Sequence, residues 1–386
     1  MTPLIVQKVP LLDISRQEKP ILPELNEAVQ KVLASGMYVL GPETLRLEQN
    51  LMQYTQAQYA VACASGSEAL LMALMACDLK PGDEVIVPSF TFFATASAVA
   101  RLGGIPIFAD INPDTWNLDA ADAARKITAR TKAIIPVHLF GQTADMDAIQ
   151  DLADAHHLVV IEDAAQSIGA EYYNKKLQKS VRAGTLGHIG CFSFYPTKNL
   201  GACGDGGALT TNDDILSDKL RKLRNHGMEP RYYHNIIGIN GRLDAFQAAV
   251  LNVKFSYLDT WCAQRQKNAM LYHELFTAAG LTEKIQLPAY PKTGRHVWNQ
   301  YSICIPDGKR DALRDFLSSK NIGTEIYYPM GLHEQECFQY LKCSDAELPV
   351  THKVSRSIMA IPIFPGITYE EQAYIVDAIS EFYVKS

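Results

Sequence analysis

The segment Val159-Val160-Ile161-Glu162-Asp163-Ala164-Ala165-Gln166-Ser167 carries the clearest structural signal in the chain. It starts as a short apolar run, typical of a β-strand that is buried on both faces, and it ends in two carboxylates. Ligands of open α/β sheets bind at the carboxyl ends of the strands, so these acids lie where a ligand is expected. A helix cap or a metal ligand also accounts for such acids, and the segment alone leaves both alternatives open.

Similar apolar runs lie on both sides of this segment, between about residues 59 and 210. They alternate with stretches whose apolar spacing, near 3.6 residues, is typical of helices. The predicted strands are Tyr59–Cys63, Glu84–Val87, Pro106–Ala109, Ala133–Val137, Leu158–Ile161, Gly190–Phe194 and Gly207–Thr211. The predicted intervening helices are Ser67–Cys77, Phe92–Leu102 and Asp145–His157. The alternation favours an α/β fold with a parallel sheet covered by helices.

The pattern changes in the second half of the chain. Residues 213–226 and 242–273 have helical composition, and the second stretch is long enough to bridge two domains. Farther on, the sequence predicts strands at His296–Ile305 and Thr324–Tyr328 and helices at Arg310–Lys320 and Thr368–Val384. We therefore expect a large α/β domain over residues 1–255 and a smaller α+β domain over residues 256–386.

Composition excludes several classes of protein. The formal net charge of −6 and the pI near 5.9 argue against a binder of nucleic acid or of anionic membranes, which needs a basic face. We see no apolar run of about 18 residues and no secretory signal pattern in residues 1–23, so we expect a cytoplasmic protein without a membrane span. The eight cysteines are scattered and form no C-x-x-C pair, which predicts buried thiols and neither a disulfide framework nor a metal site.

A second motif, Ala64-Ser65-Gly66-Ser67-Glu68-Ala69-Leu70, lies between a predicted strand and a predicted helix. The free N–H groups and the positive dipole end of such a helix are suited to holding a phosphate. Ser67 is equally well explained as a helix N-cap, and the motif alone does not separate the two.

A third motif runs from Gly190 to Gly201 and contains Ser193-Phe194-Tyr195-Pro196-Thr197-Lys198-Asn199. Lys198 follows an aromatic strand and precedes the glycine-rich segment Gly204-Asp205-Gly206-Gly207. Burial in such surroundings lowers the pKa of a lysine and suits it to Schiff-base formation. The alternative for any single lysine is a solvated surface charge, but these neighbours are unlike those of a surface segment.

The three motifs together match the needs of one cofactor. A phosphate cradle is followed by an acid about 100 residues later and by a lysine about 35 residues after that. Pyridoxal phosphate needs these groups, because the acid keeps its pyridine nitrogen protonated and the lysine holds its aldehyde. The order of the motifs therefore predicts a pyridoxal-phosphate enzyme.

On these motifs the chain resembles the DegT/DnrJ/EryC1/StrS family of sugar aminotransferases, which are pyridoxal-phosphate enzymes of fold type I. The resemblance spans nearly the whole chain, and further motifs carry it. These are Gly41-Pro42-Glu43, Pro88-Ser89-Phe90-Thr91-Phe92, Val137-His138-Leu139-Phe140-Gly141, His226-Gly227, Gly238-Ile239-Asn240-Gly241-Arg242-Leu243-Asp244 and Gln247-Ala248-Ala249. The resemblance implies a mostly parallel seven-stranded sheet flanked by helices, followed by a smaller α+β C-terminal domain.

The resemblance also assigns roles to single residues. Lys198 matches the Schiff-base lysine, Asp163 the partner of the pyridine nitrogen, and Gln166 the residue near the ring hydroxyl. Phe92 matches the aromatic residue that stacks on the cofactor ring. The phosphate contacts match Gly66, Ser67 and Ser193. Simpler roles are open for two of these positions: Phe92 as a core residue and Ser193 pointing into the sheet.

One further residue connects two subunits in the family. Asn240 matches a residue that reaches the phosphate of the neighbouring subunit, which implies a homodimer with a shared active site. The alternative is that Asn240 caps a helix that starts near Arg242. We expect His138 and His226 to be structural.

Substrate contacts are the least defined. Candidates for the sugar or its pyrophosphate are Arg242, Tyr301, Tyr327, Tyr328 and His333. The resemblance implies transfer of an amino group from L-glutamate to a nucleotide-linked keto-hexose, in amino-sugar and surface-polysaccharide biosynthesis, including that of lipopolysaccharide. The pattern of residues 238–244 with Asn299-Gln300-Tyr301 favours amination at C3 over C4.

Two other functions are compatible with the resemblance. Some relatives without the lysine catalyse a dehydration, and the presence of Lys198 favours transamination instead. A pyridoxal-phosphate-binding regulator without turnover is the second alternative, and the intact set of Lys198, Asp163 and Gln166 argues against it.

Overall fold

The computed structural model of the protein describes residues 8–291 and 293–385. Its strands are β1 (Tyr59–Cys63), β2 (Glu84–Pro88), β3 (Ile105–Ala109), β4 (Thr131–Ile134), β5 (Val159–Asp163), β6 (Glu171–Asn174), β7 (Lys179–Arg182), β8 (Ile189–Ser193), β9 (Gly207–Thr211), β10 (Tyr301–Cys304) and β11 (Ile358–Ile361). Seven of them form the central sheet in the order β1-β9-β8-β5-β4-β2-β3. The pairs β6–β7 and β10–β11 form two small antiparallel sheets.

The helices of the described residues are numbered in chain order. They are α1 (Ile14–Glu18), α2 (Leu22–Ser35), α3 (Pro42–Thr55), α4 (Gly66–Ala76), α5 (Ala94–Arg101), α6 (Ala120–Arg125), α7 (Met146–His156), α8 (Asp214–Arg224), α9 (Ala245–Phe255), α10 (Leu258–Ala278), α11 (Arg310–Ser319), α12 (Pro349–Ser357) and α13 (Tyr369–Lys385). Short 3₁₀ segments are Lys19–Ile21, Leu139–Gly141, Leu332–Glu334, Glu336–Leu341 and Asp345–Glu347. No described helix is long and apolar enough to cross a membrane.

The central sheet is mostly parallel, as predicted. The pairs β2–β3, β2–β4, β4–β5 and β5–β8 are parallel, and β9 runs antiparallel to both of its neighbours. Every residue of β2 and β9 is buried, because helices cover both faces of the sheet. The apolar runs in the sequence therefore reflect burial on both faces, and the predicted α/β fold is confirmed.

This topology gathers several chain segments at one edge of the sheet. The parallel strands β2, β5 and β8 all end there, and Asp163 pairs with Cys191 near the end of β8. The antiparallel strand β9 starts at the same edge, where Gly207 lies opposite both Cys63 and Ser193. The segments that follow β1, β2, β5 and β8 are thus neighbours in space.

Three predicted elements differ from the structure. The stretch 242–273 is not one helix but α9 and α10, separated by a turn at residues 256–257. The strand predicted at 296–305 is limited to β10. Residues 324–328 form no strand, because only Glu325 pairs with Ala360, and Pro329 then ends any ladder since it lacks an N–H donor.

The C-terminal part of the chain has its own hydrophobic core. Residues of α10, β10, β11, α11 and α13 form a continuous buried cluster there. Val9 belongs to the same cluster, and its N–H donates to the Asn321 carbonyl at 3.0 Å. The start of the described chain therefore packs on the C-terminal core, while the division at residue 255 stays a prediction.

Candidate active site

The two carboxylates that end β5 have different surroundings. Glu162 is fully buried and accepts four hydrogen bonds, one from His138 Nε2 at 2.8 Å and three from backbone N–H groups of residues 184–187 at 2.6–2.7 Å. His138 Nδ1 in turn accepts from the Ala144 N–H at 3.1 Å. Glu162 and His138 therefore hold two loops onto the sheet, in line with the structural role expected for His138.

Asp163 is also buried, with 5% of its surface exposed, but it has fewer partners. Its Oδ2 accepts from Thr95 Oγ1 at 2.8 Å, and its Oδ1 accepts from the Ala165 N–H at 3.2 Å. Burial raises the pKa of Asp163, and the opposing effects come from Thr95, Ala165, Lys198 and His138. A buried carboxylate in this state has unused acceptor capacity and favours a cationic ligand.

Lys198 lies in the loop after β8, half-buried at the same edge of the sheet. Burial lowers its pKa to about 8, and the negative charge of Asp163 partly opposes that shift. A lysine in this range has an appreciable neutral fraction at physiological pH, which Schiff-base formation needs. The structure therefore brings Lys198 and Asp163 into one electrostatic environment.

The loop that carries Lys198 is held in place at several points. Asn199 Nδ2 donates to the Val297 carbonyl at 2.7 Å, and buried Lys254 donates to the Gly201 carbonyl at 2.8 Å. Gly201 must be glycine for close packing, because a Cβ there would lie 2.4 Å from the Pro196 carbonyl oxygen. These contacts limit how far the lysine can move.

The turn between β1 and α4 packs directly on the end of β8. A Cβ on Gly66 would lie 2.7 Å from the Ser193 Cβ, so only glycine allows this approach. Ser65 is the N-cap of α4, and its side chain accepts from the Glu68 N–H at 3.1 Å. Ser67 is therefore not the N-cap, and it lies exposed in the first turn, next to Gly66.

Two further predicted cofactor residues border the same space. Phe92 is 57% exposed, so it is not a core residue, and its ring lies 6.3 Å from the ring of Tyr328. Gln166 is buried, and its Oε1 accepts from the Phe140 N–H at 2.6 Å. The Tyr328 hydroxyl is close to both Gln166 and Asp163, and burial raises the pKa of that phenol.

The remaining candidates for partner and substrate contacts lie farther out. Asn240 is exposed and bridges to Asn225, and α9 has Asp244 at its N-cap, so Asn240 does not cap that helix. Arg242 is half-buried, and its Nη1 donates to Asn225 Oδ1 at 2.8 Å. Tyr327 is half-buried beside Tyr328, with the ring centroids 5.9 Å apart.

Two substrate candidates are corrected by the structure. Tyr301 is completely buried in the C-terminal core, with its ring 4.9 Å from that of Tyr272, so no sugar can reach it. His333 is 4% exposed, and both ring nitrogens are engaged, with Ser89 Oγ at 2.7 Å and with Asp345 Oδ1 at 2.9 Å. One potential ligand atom from each of His333, Glu334 and Asp345 lies within 4.8 Å of the other two.

Sequence reasoning missed the threonines that support Asp163. Thr95 and Thr91 are both buried, and their hydroxyl oxygens lie 3.4 Å apart. The available signal was their i, i+4 spacing at the opening of α5, directly after the predicted strand β2. Threonines at helix openings are common, so this spacing alone does not indicate a role in the site.

The arrangement fits pyridoxal phosphate. Asp163 is a buried carboxylate without an ion pair to any described ammonium or guanidinium group, as a partner of a pyridinium nitrogen requires. The close approach of Gly66 to Ser193 leaves helix N–H groups and a hydroxyl side by side for a phosphate. Lys198 follows Ser193 in the loop after β8 and is within range of the Asp163 charge, and it has the lowered pKa that a covalent link to an aldehyde needs.

Comparisons with known proteins agree with this geometry. A curated relative from Geobacillus stearothermophilus, called a pleiotropic regulatory protein, is 45% identical over 375 residues, which cover 97% of this chain and 98% of the relative. A UDP-N-acetyl-3-dehydro-alpha-D-glucosamine 3-aminotransferase from Acidithiobacillus ferrooxidans is 39% identical over 371 residues, covering 96% and 97%. The crystal structure of S. venezuelae DesV in complex with a ketimine intermediate superposes with a TM-score of 0.92 at 38% identity, covering 98% and 99%.

The family model gives the most direct assignment. The model of the DegT/DnrJ/EryC1/StrS aminotransferase family matches residues 20–380. That range includes both sides of the site, from the Gly66 turn to the Tyr328 segment. The chain therefore belongs to the DegT/DnrJ/EryC1/StrS aminotransferase family and is a pyridoxal-phosphate-dependent aminotransferase.

Proposed function

We propose that the protein transfers an amino group from L-glutamate to the ketone of a nucleotide-linked keto-hexose, with C3 favoured over C4. The observation that carries the proposal is the pair at the sheet edge, Lys198 with its lowered pKa and the buried, under-partnered Asp163. A protein that only stored the cofactor would need neither a lysine of this basicity nor a buried acid.

Each residue of the site has a defined task in this proposal. Pyridoxal phosphate supplies an aldehyde for a covalent link and a ring that accepts electrons. Lys198 Nζ would hold the aldehyde carbon, and Asp163 would keep the ring nitrogen protonated. Ser193 and the N–H groups of the first turn of α4, which includes Gly66 and Ser67, would hold the phosphate.

Lys198 also moves protons. With a pKa of about 8, roughly half of Nζ is neutral near pH 8 and able to accept a proton. In this proposal Nζ would accept a proton from the α-carbon of the amino donor in one half-reaction, and in the other it would donate a proton to the sugar carbon that gains the amine. Contacts of Asn199 and Gly201 hold the loop of residues 195–201 that carries Nζ.

Aromatic side chains define the walls of the site. Phe92 would cover one face of the cofactor ring, and Tyr328 packs against Phe92 from the C-terminal part of the chain. Gln166, within reach of the Tyr328 hydroxyl, would face the ring hydroxyl. Tyr327, Tyr328 and Arg242 are the proposed contacts to the sugar and its pyrophosphate.

The position of amination is supported by similarity. The relative from Acidithiobacillus ferrooxidans is named for transfer to a 3-dehydro sugar, and it matches 96% of this chain. The segment of residues 238–244 with Asn299-Gln300-Tyr301 favours the same carbon. Because Tyr301 is buried, the segment acts on specificity through the fold around it and not by contact of that side chain with the sugar.

A homodimer completes the proposed site. Exposed large apolar side chains lie at Met37, Tyr38 and Val39 and again at Tyr232, Tyr233 and Ile237, the last with 90% of its surface exposed. Exposed large apolar side chains grouped in this way are typical of a subunit interface. Asn240 follows the second group and is itself exposed, so it can reach the phosphate site of a partner subunit.

The proposed setting is amino-sugar and surface-polysaccharide biosynthesis, including that of lipopolysaccharide, in the cytoplasm. All eight cysteines are unpaired, and Cys203 and Cys337 are exposed. Exposed free thiols are typical of a reducing compartment.

A regulator that binds the cofactor without turnover is the second candidate. It is favoured by the name of the relative from Geobacillus stearothermophilus, which is 45% identical. The two candidates differ in one measurable property. An aminotransferase converts its bound cofactor to the amino form when glutamate is added, with loss of the absorption of the aldehyde-linked form, whereas a regulator leaves the spectrum unchanged.

The test of the proposed function is a direct assay. Purified protein is incubated with L-glutamate and a panel of UDP- and dTDP-linked 3-keto and 4-keto hexoses, and the new amine is located by NMR. We expect an amino group at C3 and equimolar 2-oxoglutarate. A product with the amine at C4 would refute the preferred position, and no product with any sugar, together with an unchanged spectrum, would favour the regulator.

A further inference from the structure

The carboxylate of Asp163 receives one side-chain hydrogen bond within the described chain, and it comes from Thr95. Thr95 is the second residue of α5 and is completely buried. Its hydroxyl donates to Asp163 Oδ2 at 2.8 Å, a distance typical of a strong hydrogen bond to a charged acceptor. The remaining donor is the Ala165 N–H, which approaches Oδ1 at 3.2 Å.

A second threonine extends this contact. Thr91 Oγ1 lies 3.4 Å from Thr95 Oγ1, and Thr91 is 2% exposed. The single hydroxyl hydrogen of Thr95 is donated to Asp163 Oδ2, so it is not available to Thr91. Thr91 must therefore be the donor to Thr95, and the two hydroxyls form a chain that points toward the carboxylate and polarises along its length.

We propose that Thr95 is a positioning residue, which keeps Asp163 ionised and oriented toward the ring nitrogen of the cofactor, and that Thr91 reinforces it from behind. The proposal rests on the role of Asp163 given under the proposed function. Burial by itself favours the neutral acid, and a neutral acid cannot pair with a pyridinium ion. The hydroxyl supplies part of the compensation, and β-branching limits the side chain to few rotamers within a helix.

Other titratable groups around Asp163 act alongside Thr95. Lys198 and His138 attract the negative charge, whereas Cys191 and Tyr328 lie close enough to be affected by it. Burial raises the pKa of both Cys191 and Tyr328, so these two stay neutral in the range where enzymes work. A change of Thr95 leaves all four in place.

The test measures binding of pyridoxamine phosphate, which lacks the aldehyde and so reports the ring and phosphate contacts without the covalent link to Lys198. In Thr95→Val the shape is kept and the donor is lost. We expect the dissociation constant at pH 7 to rise about tenfold, the scale of one hydrogen bond to a charged group. Binding weakens as Asp163 is protonated, so the acid limb of the pH profile moves to higher pH.

Two variants of the same chain test the chemistry of the contact. Thr95→Ser keeps the hydroxyl, and it is expected to restore the wild-type dissociation constant and pH profile to within about twofold. Thr91→Val does not touch Asp163, and it is expected to shift the profile in the same direction as Thr95→Val by a smaller amount. If Thr95→Val fails to fold, Thr91→Val still tests the proposal.

A matched control exists elsewhere in the fold. Thr351 is completely buried, and its hydroxyl donates to Asp110 Oδ1 at 2.8 Å, the same contact at the same distance but outside the site. Thr351→Val is expected to lower stability while leaving cofactor binding unchanged. Wild-type binding in Thr95→Val at every pH, or an equal shift in Thr351→Val, would overturn the proposal.

Asp163→Asn separates this proposal from the one on which it rests. If Asp163→Asn weakens binding of pyridoxamine phosphate while Thr95→Val does not, only the role of Thr95 is refuted. If Asp163→Asn leaves both binding and turnover at wild-type values, the proposed role of Asp163 fails, and the role of Thr95 fails with it.

Discussion

Glu162 and Asp163 are adjacent at the end of β5, and the strand directs them to opposite faces of the sheet. Glu162 accepts four hydrogen bonds, from His138 and from the backbone of residues 184–187. Asp163 accepts two, from Thr95 and Ala165. Its negative charge acts on Lys198, whose pKa is lowered by burial.

The difference shows that two adjacent acids have different roles. A buried carboxylate whose acceptor capacity is filled by the chain itself fastens loops to the sheet. A buried carboxylate with capacity to spare is costly in the isolated protein, and its cost is offset when a cation binds. The Glu162 face is therefore structural, and the Asp163 face is prepared for a ligand.

The largest loss of turnover is expected when Lys198 is replaced. Lys198→Ala should lower kcat roughly 10⁴-fold, because both the covalent link and the proton carrier are lost. Lys198→Arg, which keeps a positive charge but cannot form the link, should be equally inactive. Turnover with glutamate and the keto-sugar measures this, and activity in either variant above a few per cent of wild type would contradict the assignment.

Asp163→Asn is expected to lower kcat about 10²–10³-fold, since the ring nitrogen loses its anionic partner. The free energy of unfolding should not fall, because of the direction in which the pKa of Asp163 is shifted. Burial raises the pKa of Asp163 in the folded state, so its stabilising contribution is present at low pH and is lost as pH rises through that pKa. At neutral pH the amide removes this cost, and thermal unfolding of the cofactor-free protein should show a Tm equal to or above that of wild type.

Glu162→Gln is expected to lower stability while leaving turnover nearly unchanged. In either orientation the NH2 end of the amide would face two donors, which should lower the free energy of unfolding by about 3 kcal/mol. Denaturant unfolding measures the loss. The folded fraction should still turn over near the wild-type rate, and a kcat loss as large as that of Asp163→Asn would refute the structural assignment of the Glu162 face.

The basicity of Lys198 predicts a pH dependence. The amine attacks an aldehyde only when neutral, and burial lowers its pKa to about 8. Capture of pyridoxal phosphate by the cofactor-free protein should therefore rise with pH, by about tenfold per unit below pH 8, and level off above it. Stopped-flow absorbance measures the rate, and a rise that continues to pH 10 would contradict the lowered pKa.

The substitution with the smallest expected effect on turnover and stability lies in the C-terminal core. Tyr301 is completely buried, and its hydroxyl has no hydrogen-bond partner among the described residues. Tyr301→Phe should therefore keep kcat/KM for the keto-sugar within about twofold and should not lower the Tm. A tenfold increase in the KM of the sugar would restore Tyr301 as a substrate contact.

Much of the fold could be predicted because its signals are local. The strands β1 and β9 begin and end at the predicted residues, and the central helices shift by only one or two positions. Residues 242–273 were harder, since the composition is helical throughout and the turn at 256–257 has no glycine or proline to mark it. The hairpin of β6 and β7 was not predicted, because its half-buried residues lack an apolar run.

The site could be predicted only in part, for the same reason. Lys198, Asp163 and the Gly66 turn lie in motifs with a recognisable order along the chain. Contacts made across the fold have no such order. Thr95 is 68 positions from Asp163 in sequence, and His333 is 244 positions from the Ser89 hydroxyl that engages it.

The sequence by itself determined the α/β pattern and the cofactor, and it predicted the two residues proposed as central to the chemistry, because short-range periodicity and motif order encode them. Only the tertiary structure decided how each of the two adjacent acids is hydrogen-bonded, which threonine supports Asp163, and that Tyr301 and His333 are enclosed. Those outcomes depend on burial and on hydrogen-bond partners that come together when distant segments pack, and a linear pattern does not specify them.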